Sequence, residues 1–212
     1  MTDSSCINGI AAPLNIDNLD TDQIMPKQFL RGIDKKGLDQ GLLWDLRFNG
    51  EGEIRPEFIL NRPEYRNTRI LVTGPNFGCG SSREHAVWGL QQYGIQAVIA
   101  SSFGEIFYSN AMNNGLLAVM LPQDEVAEIL EKLSRKQEPQ QLEIDLATMQ
   151  VRAFSNVIPF ILSDRHRNMF LEGVDMVGAS LGYKEKILEF ANAHWTRQPW
   201  VRNIAIRTMQ RL

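Results

Sequence analysis

Apolar residues fall along the chain in blocks whose spacing predicts alternating strands and helices. Ile70-Leu71-Val72-Thr73 is short and continuous, the pattern of a strand buried on both faces. Ala86, Val87, Leu90 and Tyr93 repeat at helical spacing and predict a helix over 81–93. A second apolar run at 97–100 predicts another strand, so 70–100 forms a β-α-β unit with an expected right-handed crossover. Residues 103–113 read as a helix with Gly115 as its C-terminal cap. The run 116–121 is a further buried strand, stopped by Pro122, and Val126, Ile129, Leu130 and Leu133 predict a helix over 123–133. Alternation over 141–146 and 150–154 predicts a hairpin turning near Ala147-Thr148-Met149. Residues 164–171 and 183–194 read as later helices, and 32–68, rich in Gly, Pro, Asn and Arg, as a long excursion. The pattern is that of a mixed α/β protein.

Composition narrows the picture. A chain of 212 residues with 43% hydrophobic content can bury a sizeable core and is expected to form one main domain. A net charge of −3 argues against a nucleic-acid protein, which carries a basic footprint. No apolar run approaches the ~18 residues of a membrane span, and the first basic residue is Lys27, so neither a signal peptide nor a membrane partner is expected. Two cysteines, Cys6 and Cys79, do not make a disulfide scaffold, and a cytoplasmic location is expected.

The chemistry concentrates in residues 74–85, Gly-Pro-Asn-Phe-Gly-Cys-Gly-Ser-Ser-Arg-Glu-His, a glycine-rich loop between a predicted strand and a predicted helix. Ser81 and Glu84 have capping-box spacing, which would place Ser81, Ser82 and Arg83 in the first helical turn. A helix N-terminus suits anions, and Arg grips a carboxylate in bidentate fashion. Nucleotide binding fits poorly. Gly78-Cys79-Gly80 begins a dinucleotide pattern, but Arg83 stands where the third glycine is needed, and no Gly-Lys-Ser/Thr triplet occurs. On this segment alone, a carboxylate site and a plain glycine-rich turn with a serine cap both remain open.

A second segment, Asn18-Leu19-Asp20-Thr21-Asp22-Gln23-Ile24-Met25-Pro26-Lys27-Gln28-Phe29-Leu30, changes the balance. Together with Asn76–His85, it resembles the small-subunit family of 3-isopropylmalate dehydratases in the aconitase superfamily. The resemblance continues through Val98-Ile99-Ala100, Ser102-Phe103, 106–110 and 113–117, and covers roughly residues 6–190. It implies an α/β fold, the swivelling β/β/α domain of the superfamily, over 1–194, with 195–212 as a tail of unassigned role. It also implies a hydro-lyase active only with a large subunit. Aconitase-like enzymes use a [4Fe–4S] cluster held by cysteine thiolates. Two cysteines 73 positions apart cannot hold one, so the cluster is expected on the partner and no cofactor on this chain.

The resemblance also assigns residues. Ser81 matches the serine base, Ser82 and Arg83 match residues that bind substrate carboxylate, and Asp22 matches a carboxylate expected to orient a histidine across the subunit boundary. Lys27 is a further candidate for the substrate carboxylate. Substrate choice is expected near Phe29-Leu30-Arg31-Gly32-Ile33, with Leu30 favoured over Arg31 as the inward residue. Cys79 reads as a small loop residue, and His85, His166 and His194 as structural. A sister dehydratase acting on homoaconitate, citramalate/citraconate or dimethylmalate stays open, as does a non-catalytic binding domain without its large subunit.

Overall fold

The computed structural model describes residues 5–30 and 36–210. It divides into two compact units, Met1–Gly173 and Val174–Leu212.

The first unit is built on one seven-stranded sheet. Its strands are β1 (Cys6–Leu14), β2 (Thr68–Thr73), β3 (Ala97–Ala100), β4 (Leu117–Met120), β5 (Gln140–Asp145), β6 (Gln150–Ala153) and β7 (Asn156–Pro159), in the order β4-β3-β2-β1-β5-β6-β7. Strands β1 to β4 run parallel, whereas β5 to β7 pair antiparallel, joining the sheet along β1. The two halves differ for a physical reason. β3 is buried at every position and β2 at all but Arg69, as expected where helices cover both faces of a parallel sheet. β5 and β6 alternate between buried and open positions, as a sheet with one wet face does.

Three short helices, α1 (Thr21–Ile24), α2 (Leu38–Gly41) and α3 (Trp44–Arg47), occupy the connection between β1 and β2. The crossovers are α4 (Glu84–Tyr93) between β2 and β3 and α5 (Glu105–Asn113) between β3 and β4. Helix α6 (Gln123–Arg135) buries Val126, Ile129, Leu130 and Leu133 and packs along β1, β2 and β3, and α7 (Asp164–Glu172) closes the unit. The expected strands, the 123–133 helix and the hairpin therefore stand. Strand β1, the junction of the two half-sheets, and strand β7 were not foreseen.

The predicted start of the 81–93 helix is corrected. Helix α4 begins at Glu84, its N-cap is Arg83, and no side chain caps it. The capping box of Ser81 and Glu84 does not form, because the Glu84 carboxylate is engaged elsewhere: Asn114 donates to it at 2.6 Å. Asn114 in turn accepts from the Trp88 indole at 3.0 Å, tying α4 to the end of α5. Ser81 and Ser82 thus lie on the loop rather than in the first turn.

The second unit contains α8 (Met176–Leu181), α9 (Lys184–Arg197) and α10 (Ile204–Met209). No residue of these helices is buried. The expected boundary at 194 falls inside α9, and the contacts part after Gly173. Among the described residues no helix is long and apolar enough to cross a membrane.

Candidate active site

Both sequence motifs leave the sheet at the same end. Leu14 closes β1 opposite Thr73, which closes β2. Residues 15–20 and 74–83 therefore emerge side by side beyond the carboxyl ends of parallel strands, where open α/β sheets place their ligands.

Backbone bonds zip the two loops together. Gly78 donates its N–H to Leu19 O at 2.7 Å, Thr21 to Cys79 O at 2.9 Å, and Asn18 to Pro75 O at 2.9 Å. The Asn76 amide donates to the Asn18 side chain at 2.8 Å, and both asparagines hold positive φ, 57° and 55°. A third loop supports them from below: Ser102 Oγ accepts from Asn76 N–H at 2.8 Å. Phe77 is fully buried, edge-on to Phe107 at 5.1 Å between ring centroids. The next residue, Gly78, lies at φ 74° with its Cα against the Phe107 ring, where a Cβ would collide. Here glycine serves a close approach within the protein rather than a phosphate cradle.

The candidate side chains stand on this platform. Ser81 and Ser82 are exposed. The Ser81 hydroxyl lies 3.0 Å from Thr21 Oγ1, and Thr21 Oγ1 donates to Ser81 O at 2.9 Å. Arg83 forms an ion pair with Asp22 across the loops and donates to Met25 O at 3.4 Å. Helix α1 carries Asp22 and begins with a complete capping box: Asp20 Oδ1 accepts from Gln23 N–H at 2.7 Å, and Gln23 accepts from Asp20 N–H at 3.1 Å. Lys27 is exposed on the 3-10 turn Lys27–Phe29, and Leu30 N–H donates to Lys27 O at 3.1 Å. The Leu30 side chain is half-buried against the core. Arg31, Gly32 and Ile33 lie outside the described residues.

Ser81, Asp22 and Arg83, taken from segments some 60 positions apart (|i−j| = 60 for Thr21 and Ser81), are thus brought to one place. Cys79 donates its thiol to Asn18 O at 3.3 Å and acts within the loop. His85 packs against Trp88, with centroids 4.8 Å apart. Sequence reasoning did not single out Thr21, although it is the centre of the Asp-Thr-Asp triplet. Its signal was a β-branched hydroxyl between two acidic residues. A separate cleft of about 470 Å³ lies between α6 and the loop shoulders at Asn15, Asp17, Gly74 and Pro75, and neither Ser81 nor Arg83 lines it. The candidate site is thus a meeting of polar side chains on two loops rather than a large cavity.

Residues 3–124, which carry both motifs, match the aconitase C-terminal domain family. The chain is 61% identical over 212 residues to 3-isopropylmalate dehydratase small subunit 1 of Chromobacterium violaceum, covering all of both chains. It is 42% identical over 199 residues to the small subunit 2 of Salmonella typhimurium, covering 94% of this chain and 95% of that one. Among solved structures, a 3-isopropylmalate dehydratase from Methanocaldococcus jannaschii is similar, with a TM-score of 0.62 at 29% identity, covering 88% of this chain and 99% of that one.

Proposed function

The chain belongs to the aconitase C-terminal domain family, and on that premise we propose that it serves as the small subunit of a 3-isopropylmalate dehydratase. This hydro-lyase interconverts 2-isopropylmalate and 3-isopropylmalate by removing and re-adding water, a step of leucine biosynthesis. The observation that carries the reading is the junction of the two loops, which brings an exposed serine hydroxyl, a half-buried guanidinium and a carboxylate together. The exposure of Ser81 and Ser82 supports a site completed by a second subunit.

In this reading Ser81 is the base. It takes the proton from the carbon next to a carboxylate and returns one in the reverse direction. Arg83 and Ser82 hold a substrate carboxylate, Arg83 through a planar two-pronged grip that Lys cannot reproduce. Asp22 pairs with the guanidinium and is the carboxylate that orients a histidine across the subunit boundary. Lys27 adds positive charge for the dianion. Leu30 faces the isopropyl group, since an alkyl group buried against leucine gains about 1.5–3 kcal/mol.

The cysteines do not fit an iron–sulfur cluster. Cys6 is the first residue of β1, the Cys79 thiol is bonded to Asn18 O, and among the described residues no three His, Cys, Asp or Glu are arranged to hold a metal ion. The [4Fe–4S] cluster and its Lewis-acid chemistry belong, on this reading, to the large subunit, and the pair works in the cytoplasm.

The test is anaerobic reconstitution with the large subunit and assay against a panel of malate derivatives. The pair should turn over isopropylmalate in preference to homoaconitate, citramalate and dimethylmalate, and this chain alone should be inactive. In the same complex, Ser81→Ala should lower turnover by about 10²–10⁴-fold, the usual contribution of a general base. Full activity of the isolated chain, or of the Ser81→Ala pair, would refute the reading.

A further inference from the structure

Thr21 is 1% exposed, yet its hydroxyl sits within hydrogen-bond reach of two oxygens of a single residue on the other loop. It donates to Ser81 O at 2.9 Å and lies 3.0 Å from Ser81 Oγ. Proton counting restricts how both contacts are used. Two hydroxyls supply two protons, and the carbonyl oxygen only accepts. With Ser81 neutral, Thr21 gives its proton to Ser81 O, and the Ser81 hydroxyl gives its own to Thr21 Oγ1. Both contacts are then satisfied.

That arrangement cannot persist once Ser81 has lost its proton, because an alkoxide only accepts. We propose that Thr21 is a positioning residue for Ser81, a two-position proton donor that turns from the Ser81 carbonyl to the Ser81 oxygen when that oxygen becomes negative. The inference rests on Ser81 acting as the base.

Three features make the turn feasible. First, Ser81 O keeps a partner when Thr21 leaves it, because Arg83 N–H also donates to it at 2.9 Å. Second, the new bond goes to an ionised acceptor and is roughly twice as strong as a neutral one. Third, Thr21 is held fast: its N–H donates to Cys79 O at 2.9 Å, its carbonyl accepts from Met25 N–H at 3.0 Å, and it opens α1 behind the Asp20 capping box. Asp20, Asp22, Arg83 and Cys79 are each engaged with a partner: Asp20 caps α1, Asp22 pairs with Arg83, and the Cys79 thiol bonds to Asn18 O. Thr21 is therefore the neutral donor that the structure supplies to the Ser81 oxygen.

The proton balance is simple. The first proton of Ser81 leaves to solvent, and Thr21 turns onto the alkoxide. The C–H bond of the substrate then breaks, and its proton forms the O–H bond of Ser81. Thr21 returns to the carbonyl, and the electron pair left on carbon is available for the departure of hydroxide from the neighbouring carbon. Nothing is oxidised or reduced.

The test uses the reconstituted complex of both subunits and follows the ultraviolet absorbance of the conjugated alkene dicarboxylate formed on dehydration. Thr21→Val keeps the branched shape and removes the donor. It should lower kcat by about 10–100-fold, the worth of a hydrogen bond to a charged group, with KM little changed. The pH at which kcat rises should move up by about 1–2 units, the same factor expressed as proton affinity. Thr21→Ser restores the donor and should recover most of the rate and the original pH profile. Suppose Ser81→Ala is inactive but Thr21→Val keeps the wild-type rate, or loses rate with an unshifted profile that Thr21→Ser does not restore. The role of Thr21 then fails while Ser81 stands. If Ser81→Ala is fully active, the base assignment fails and the role of Thr21 with it.

Discussion

The two units treat apolar side chains in opposite ways. In the first, the apolar runs of β2 and β3 and residues 117–119 of β4 are buried in a core, and α6 packs along β1, β2 and β3. In the second, Leu188 is 52% exposed, Phe190 71% and Trp200 64%, and none of its helices buries a residue. Helices owe most of their stability to packing an apolar face, not to intrinsic propensity. The contrast predicts that the first unit is a self-sufficient scaffold. Among the described residues, the bonds that join the loops of Ser81, Asp22 and Arg83 are made within the first unit.

The sharpest way to break this contrast is truncation of equivalent leucines. Leu71→Ala, in the middle of β2 and fully buried, should cost about 2–5 kcal/mol in urea unfolding. Leu188→Ala, on the exposed surface of α9, should stay within about 0.5 kcal/mol. Equal losses at both positions would show that the second unit also packs its apolar residues. Ending the chain after Gly173 should leave a folded first unit with its unfolding midpoint preserved, because no described residue beyond Met169 belongs to the buried core. An unfolded product would overturn the division.

Substitutions at the site should separate binding from stability. Arg83→Lys keeps the charge but loses the two-pronged geometry, so KM should rise by roughly 10–100-fold while kcat falls little. An unchanged KM would remove Arg83 from the substrate and leave it only as the partner of Asp22. Leu30→Ala should weaken isopropylmalate use by about 10–100-fold, the range available to one apolar contact. A loss shared equally by every malate derivative in the panel would mean that Leu30 supports the turn without touching the variable group.

The smallest expected effect concerns pH. Desolvation, and then the neighbouring Arg165, hold the His166 imidazole on α7 below its ordinary pKa. The unfolded chain takes up this proton near pH ~6.5, whereas the folded chain takes it up only at lower pH. The stability linked to His166 is therefore complete above that range and declines as pH falls through it. Urea midpoints at neutral and mildly acidic pH should show the decline, and His166→Gln should reduce it. An identical pH dependence in the variant would assign the effect elsewhere.

The sequence by itself determined strands β2, β3 and β4, the helix over 123–133, the hairpin and the two loops that carry the motifs. Their signals are local: continuous apolar runs, helical spacing, and glycines and hydroxyls in fixed order. Tertiary structure alone decided the rest. β1 was hidden because Gly9, Pro13 and small residues dilute its apolar pattern. The glycine suits its place for a non-local reason, since the Arg69 side chain crosses directly over it. The capping box at Ser81 and Glu84 was legible but did not form, because Asn114, thirty positions away, engages the Glu84 carboxylate. The partnership of Thr21 with Ser81 was likewise invisible, since a hydrogen bond across sixty positions leaves no periodicity in the chain. Spacing reports what a segment can do alone, whereas the fold decides which of its polar atoms find partners elsewhere.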